Sequence, residues 1–142
     1  MFDLLVKNGT VVTPQRVAEM DIGIVGERIA VLGEPGTLGK EAKRVLDAKG
    51  RVVVPGGIEP HCHVATPIPT IWTGGREGVS TQSVEAGTRA AVFGGTTTVV
   101  DFTVPEVGKL PVQMVEERMQ VFAGQSYADY AFHCVLAGDI PQ

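Results

Sequence analysis

Val52-Val53-Val54-Pro55-Gly56-Gly57-Ile58-Glu59-Pro60-His61-Cys62-His63-Val64 is the stretch whose reading decides the fold. An apolar run leads into a Pro-Gly-Gly turn, and two histidines follow one residue apart. If Ile58 to Val64 is extended, side chains alternate across it, so His61 and His63 share a face and Cys62 points away. Their Cα atoms then lie roughly 6.6 Å apart, and both imidazoles reach one small volume. A His-x-His pair alone also arises at solvated or core positions. The apolar run and the turn before it favour a site. An apolar strand ending on ligand-type side chains fits a parallel β/α barrel, which keeps its chemistry at the C-terminal rim. His61 and His63 are therefore the candidate metal ligands.

Upstream, residues 1–54 read as short strands joined by turns. Leu4 to Lys7 is extended, Asn8-Gly9 is a hairpin signal, and Thr10 to Thr13 continues. Met20 to Val25 and Arg28 to Leu32 flank Gly26-Glu27, and Gly33 to Lys40 is a loop. Arg44 to Asp47 and Arg51 to Val54 flank Lys49-Gly50. The pattern predicts a run of antiparallel hairpins forming part of a small β-sandwich, a structural support without ligand chemistry.

Downstream, residues 55–142 change period. Ala65 to Gly78 is a long loop, and long loops at this end of barrel strands tend to line sites. Ile68, Ile71 and Trp72 either wall a substrate pocket or pack against a neighbouring subunit or loop. Ser80 or Thr81 caps a predicted helix from Gln82 to Phe93, stopped by Gly94-Gly95. Thr96 to Phe102 is β-branched and apolar, so it reads as a buried parallel strand, with Asp101 expected to bond a local turn. Leu110 to Ala123 is a second helix with Val112, Val115, Met119 and Phe122 as its buried stripe, and with Glu116, Glu117, Arg118 and Gln120 facing water. Tyr130 to Leu136 is a third strand, on which His133 reads as a core histidine.

The totals bound the function. The chain has 142 residues, 44% hydrophobic, with a net charge of −4. That suits a globular domain and, with no basic block, speaks against a nucleic-acid partner. Cys62 and Cys134 are the only cysteines and form no Cys-x-x-Cys motif. No signal peptide and no apolar run of about 18 residues is evident, so a cytoplasmic setting without membrane partners is expected. Strand–helix–strand–helix–strand gives an α/β fold with a parallel sheet. Three strands do not close a barrel, and a catalytic zinc usually has three protein ligands where this stretch offers two. Both shortfalls lead us to expect the N-terminal part of a longer polypeptide.

Three stretches carry a resemblance to the cyclic amidohydrolases, hydantoinase/dihydropyrimidinase branch: Leu4 to Thr13, Pro55 to His63, and Gly94 to Phe102. Asp129-Tyr130-Ala131-Phe132-His133 is a weaker fourth. The resemblance implies the start of a distorted TIM-type (β/α)8 barrel preceded by a β-sandwich segment. It implies two divalent metal ions, usually Zn2+, bridged by a carboxylated lysine. His61 and His63 match the first two ligands; the lysine, two further histidines and a catalytic aspartate are expected beyond residue 142. It further implies hydrolysis of a cyclic amide such as a hydantoin or dihydropyrimidine, and a homotetramer. A dihydroorotase, an allantoinase, another amidohydrolase or a non-enzymatic dihydropyrimidinase-like protein are the alternatives. Glu59 stands where the family usually has aspartate, and Cys62 where threonine is common.

Overall fold

The computed structural model describes residues 1–39 and 41–136; the Gly138–Gln142 stretch lies outside the described residues. The chain divides into two compact units, Met1–Pro55 and Gly56–Gln142.

The first unit is a mixed five-stranded sheet. Its strands are β1 (Phe2–Val12), β2 (Val17–Val25), β3 (Arg28–Gly33), β4 (Ala42–Asp47) and β5 (Val52–Val53). The order is β3-β2-β1-β4, with β5 also on β1. β1, β2 and β3 pair antiparallel as expected, but β4 and β5 run parallel to β1. Val6, Val11, Met20, Ile22 and Ala48 form the core.

Asn8-Gly9 does not turn the chain. β1 runs straight through it, with a bulge between Val6 and Gly9. Asn8 takes the left-handed conformation (φ 60°) and its N–H donates to Asp21 Oδ1 at 2.9 Å. Asn-Gly supplies the same positive φ to a bulge as to a hairpin turn, so local signal alone cannot separate the two. Asp21, fully buried, also accepts from the Gly36 N–H at 2.8 Å, and so ties the Gly33-to-Gly39 loop to the sheet.

The second unit is a parallel sheet with two helices. Its strands are β6 (Gly57–Glu59), β7 (Thr96–Phe102) and β8 (Asp129–His133), in that order. α1 (Val84–Phe93) joins β6 to β7, and α2 (Pro111–Phe122) joins β7 to β8. Ser83, rather than Ser80 or Thr81, caps α1 by accepting the Ala86 N–H at 3.2 Å. Gly95, at φ +89°, closes that helix in a conformation side chains avoid. Val64, Val84, Val99, Phe122 and Ala128 make the core, so β7 packs one face on both helices.

The buried stripe of α2 differs from the pattern. It is Met114, Arg118 and Phe122, while Val112 and Met119 stay largely exposed. Arg118 takes a core position because a buried carboxylate on β7 meets it there.

Candidate metal centre

β7 alternates with a period of two. Val99, Asp101 and Thr103 are buried, and Val99 belongs to the core beneath the helices. Val100 and Phe102 therefore point to the opposite face. The same rule applies to β8: Tyr130 and Phe132 pack on Phe122 of α2, which turns His133 away from the helices. β6 itself ends at Glu59, but the backbone stays paired beyond it, with the Cys62 N–H donating to Val100 O at 3.1 Å.

Ile58 to Val64 is thus not one extended strand, since Pro60 and His61 form a bend, yet the Cys62 bond to β7 still sets its side chain apart from its neighbours'. Cys62 packs against the core and its Sγ lies 3.5 Å from Val100 O. His61 and His63 point the other way, their ring centres 5.2 Å apart and nearly perpendicular. Both are exposed. Phe102 lies against both, at 4.4 Å from His61 and 5.1 Å from His63. His133, pair-mate of Phe102 in the β7–β8 register, stacks on its ring at 4.8 Å. The face opposite the helices thus gathers three histidines around one phenylalanine.

The loop carrying the pair is pinned from the buried side. Asp101 Oδ2 accepts the Val64 N–H at 3.0 Å and an Arg118 Nη2–H at 2.9 Å. Arg118 Nη2 also donates to Val64 O and Thr66 Oγ1, and Nη1 donates to Ala65 O. Asp101 keeps one local bond, its Oδ1 accepting the Phe102 N–H at 2.5 Å, while its Oδ2 joins Arg118 in fixing the backbone just past His63. Glu59 Oε1 accepts the His61 N–H at 3.0 Å, holding the entry to the pair. Burial, then the negative charges of Asp101 and Glu59, push the Cys62 thiol up to about 11.

The donor chemistry suits a metal. Two imidazoles on one tetrahedral ion, with metal–nitrogen bonds of about 2.0–2.1 Å, set their ring centres roughly 5 Å apart. The observed 5.2 Å fits that spacing. Among the described residues no three His, Cys, Asp or Glu side chains converge on one ion. His133 is not buried in a core; it is exposed, and its Nε2 lies 3.0 Å from Pro60 O. Ile71 and Trp72, on a short 3-10 turn, are likewise exposed. Composition and periodicity pass over Phe102 and His133. Their shared place at the ends of neighbouring parallel strands was the available signal.

No family model matches the chain. A D-hydantoinase from Geobacillus stearothermophilus is 38% identical over 133 residues, covering 94% of this chain and 26% of that one. An allantoinase from Salmonella newport is 39% identical over 120 residues, covering 84% and 23%. The solved dihydropyrimidinase from Brevibacillus agri superposes with a TM-score of 0.78 at 35% identity, covering 91% and 26%. The chain thus spans about a quarter of the length of the curated relatives it matches, in their N-terminal portion. These likenesses, over a chain with a mixed sheet and a parallel β/α unit whose first strand leads into His-x-His, fit the cyclic amidohydrolases. Within that class, the branch it fits is the hydantoinases and dihydropyrimidinases.

Proposed function

We propose that this chain is the N-terminal part of a metal-dependent hydrolase that opens cyclic amides, with His61 and His63 as two of its metal ligands. The observation that carries the reading is the edge-on pair of exposed imidazoles with centres 5.2 Å apart. The wider architecture proposed is a TIM-type (β/α)8 barrel preceded in the chain by a β-sandwich segment. The sheet order β6-β7-β8 supports the first, and the mixed five-stranded sheet supports the second. The proposed cofactor is a pair of divalent ions, Zn2+ the expected metal, bridged by a carboxylated lysine outside these 142 residues. When bound, such ions polarise a carbonyl and make water a nucleophile at neutral pH. This chain's contribution is to present two neutral imidazoles in fixed orientation. Histidine suits that task because it binds metal in its neutral form.

Hydantoins and dihydropyrimidines are the proposed substrate class, following the names of relatives that match over 91% and 94% of this chain. Allantoin is the second reading, favoured by the 39% identity to an allantoinase. The test uses the full polypeptide. Metal content is measured first, then ring opening of hydantoin, dihydrouracil, allantoin and dihydroorotate. We expect bound zinc, turnover of one of these rings, and loss of both on His61→Ala or His63→Ala. A metal-free, inactive full polypeptide overturns the hydrolase reading in favour of a non-enzymatic relative.

A further inference from the structure

We propose that His133 is a positioning residue for the His61–His63 pair, acting through Pro60 and Phe102; this rests on the metal-site reading above. The backbone around the pair is held at His61, Cys62 and Val64. The His61 N–H donates to Glu59, the Cys62 N–H to Val100 O, and the Val64 N–H to Asp101. Arg118 holds the Val64 carbonyl. Pro60 has no N–H, so its carbonyl is its one polar backbone group, and His133 Nε2 takes it at 3.0 Å. A carbonyl only accepts, so Nε2 carries the proton, and Nδ1 is bare in the neutral ring. Among these anchors, His133 reaches the pair from β8, on the face opposite the helices.

The second link is Phe102. Its ring touches His61, His63 and His133, with centres 4.4, 5.1 and 4.8 Å away. Two exposed imidazoles on a loop have free side-chain torsions. Ligation needs both in one geometry, and the entropy of fixing them opposes binding. A shared aromatic wall removes part of that freedom before metal arrives. Phe102 is itself held on one side by His133, its partner in the strand register, and the Thr103 N–H to His133 O bond of 3.0 Å locks that register. With Phe102 between them, His133 is kept from serving as a third ligand, consistent with the lack of a three-residue cluster among the described residues.

The experiment strips metal from the full polypeptide and titrates Zn2+ into wild type, His133→Ala, His133→Phe and His133→Gln. Gln keeps an N–H at nearly the reach of Nε2. Phe keeps the ring and loses the donor. Replacing a group bonded directly to a metal-ligating histidine weakens metal binding about 10–100-fold; His133 acts one step back, through Pro60 O and Phe102, so the low end, about 10-fold, applies. We expect that loss for Ala, a similar loss for Phe, and recovery to within a few-fold for Gln. Wild-type affinity in both Ala and Phe overturns the inference, as does a Gln variant no better than Ala. If Ala fails to fold, Phe against Gln decides by the same criteria. Wild type that takes up no Zn2+ overturns the metal-site reading instead, and the inference with it, so the two failures are distinct.

Discussion

Arg118 Nη2 lies 2.9 Å from Asp101 Oδ2, with both side chains sealed from solvent and the loop after His63 hung on the pair. A buried ion pair is a weak net stabiliser against apolar replacements, but breaking it strands a charge. Asp101→Asn leaves Arg118 uncompensated, and Arg118→Met leaves the buried Asp101 charge with backbone N–H donors alone and the Val64 and Ala65 carbonyls without their guanidinium donor. Each single change is expected to cost about 3–5 kcal/mol. The double change should cost less than the sum, because the partners share one interaction. Arg118→Lys keeps the charge but loses the planar fork that reaches four acceptors at once, so it should not rescue. Urea unfolding of the full polypeptide reads all four; additive single effects would show that the two residues do not act together.

Half-buried Cys62 packs against the core while its neighbours lie on the Phe102 face, and its thiol is pushed up to about 11. At pH 8 a thiol of that pKa is about one-thousandth thiolate, against about a tenth for one near 9. Iodoacetamide should therefore modify Cys62 more slowly in the folded, metal-free protein than after denaturation, read by mass spectrometry of its peptide. The sign for stability follows from linkage. The protonated thiol is favoured in the fold, so its contribution is complete below the ordinary thiol value and is lost as pH rises towards 11. Rapid labelling at pH 8 would contradict the half-buried, thiol-form geometry.

The opposite directions of Cys62 and of its histidine neighbours were legible from two-residue alternation, although β6 ends at Glu59 and Pro60 and His61 lie in a bend; the ligand role of the pair is the proposal above. The parallel order of β6, β7 and β8 followed from apolar, β-branched strands separated by helical periods. Two things were not legible. Arg118 reads as a surface residue on the α2 pattern, and its burial depends on Asp101, 17 positions away on another element. Asn8-Gly9 carries a turn signature, yet whether positive φ makes a hairpin or a bulge depends on what pairs with the flanking strand. Here β2, β4 and β5 all use β1, so the chain stays straight.

That bulge can be tested directly. Asn8 holds φ 60° and its Nδ2 donates to Asp47 Oδ1 at 2.9 Å. A β-branched residue is strained at that φ, at roughly 1–2 kcal/mol. Asn8→Val is expected to lower stability by that amount plus the lost side-chain bond. Asn8→Gly removes the strain and loses only the bond, so it should lie between wild type and Val. Thermal melting of the three proteins orders them; a Val variant as stable as Gly would mean the backbone had relaxed out of the left-handed region.

Gly56 opens the Pro-Gly-Gly turn because nothing larger fits beside β7. A Cβ there would stand 2.1 Å from Thr97 Oγ1 and 2.8 Å from Thr97 Cβ. Rotating the threonine cannot move its Cβ, so the backbone has to give. Gly56→Ala is expected to destabilise by about 1–3 kcal/mol, the usual range for overpacking. It should also shift the pairing of Gly57 to Glu59 with Thr96 to Val99, and with it the start of the histidine loop. Thr97→Ala in the same protein relieves the hydroxyl contact and leaves the Cβ contact, so it should rescue in part. Thr97→Gly removes both, at the cost of about 0.5–1 kcal/mol for glycine in a strand. The expected order of Zn2+ affinity is therefore Gly56→Ala alone weakest, then with Thr97→Ala, then with Thr97→Gly. If Gly56→Ala alone binds Zn2+ as tightly as wild type, the turn does not set the position of the pair.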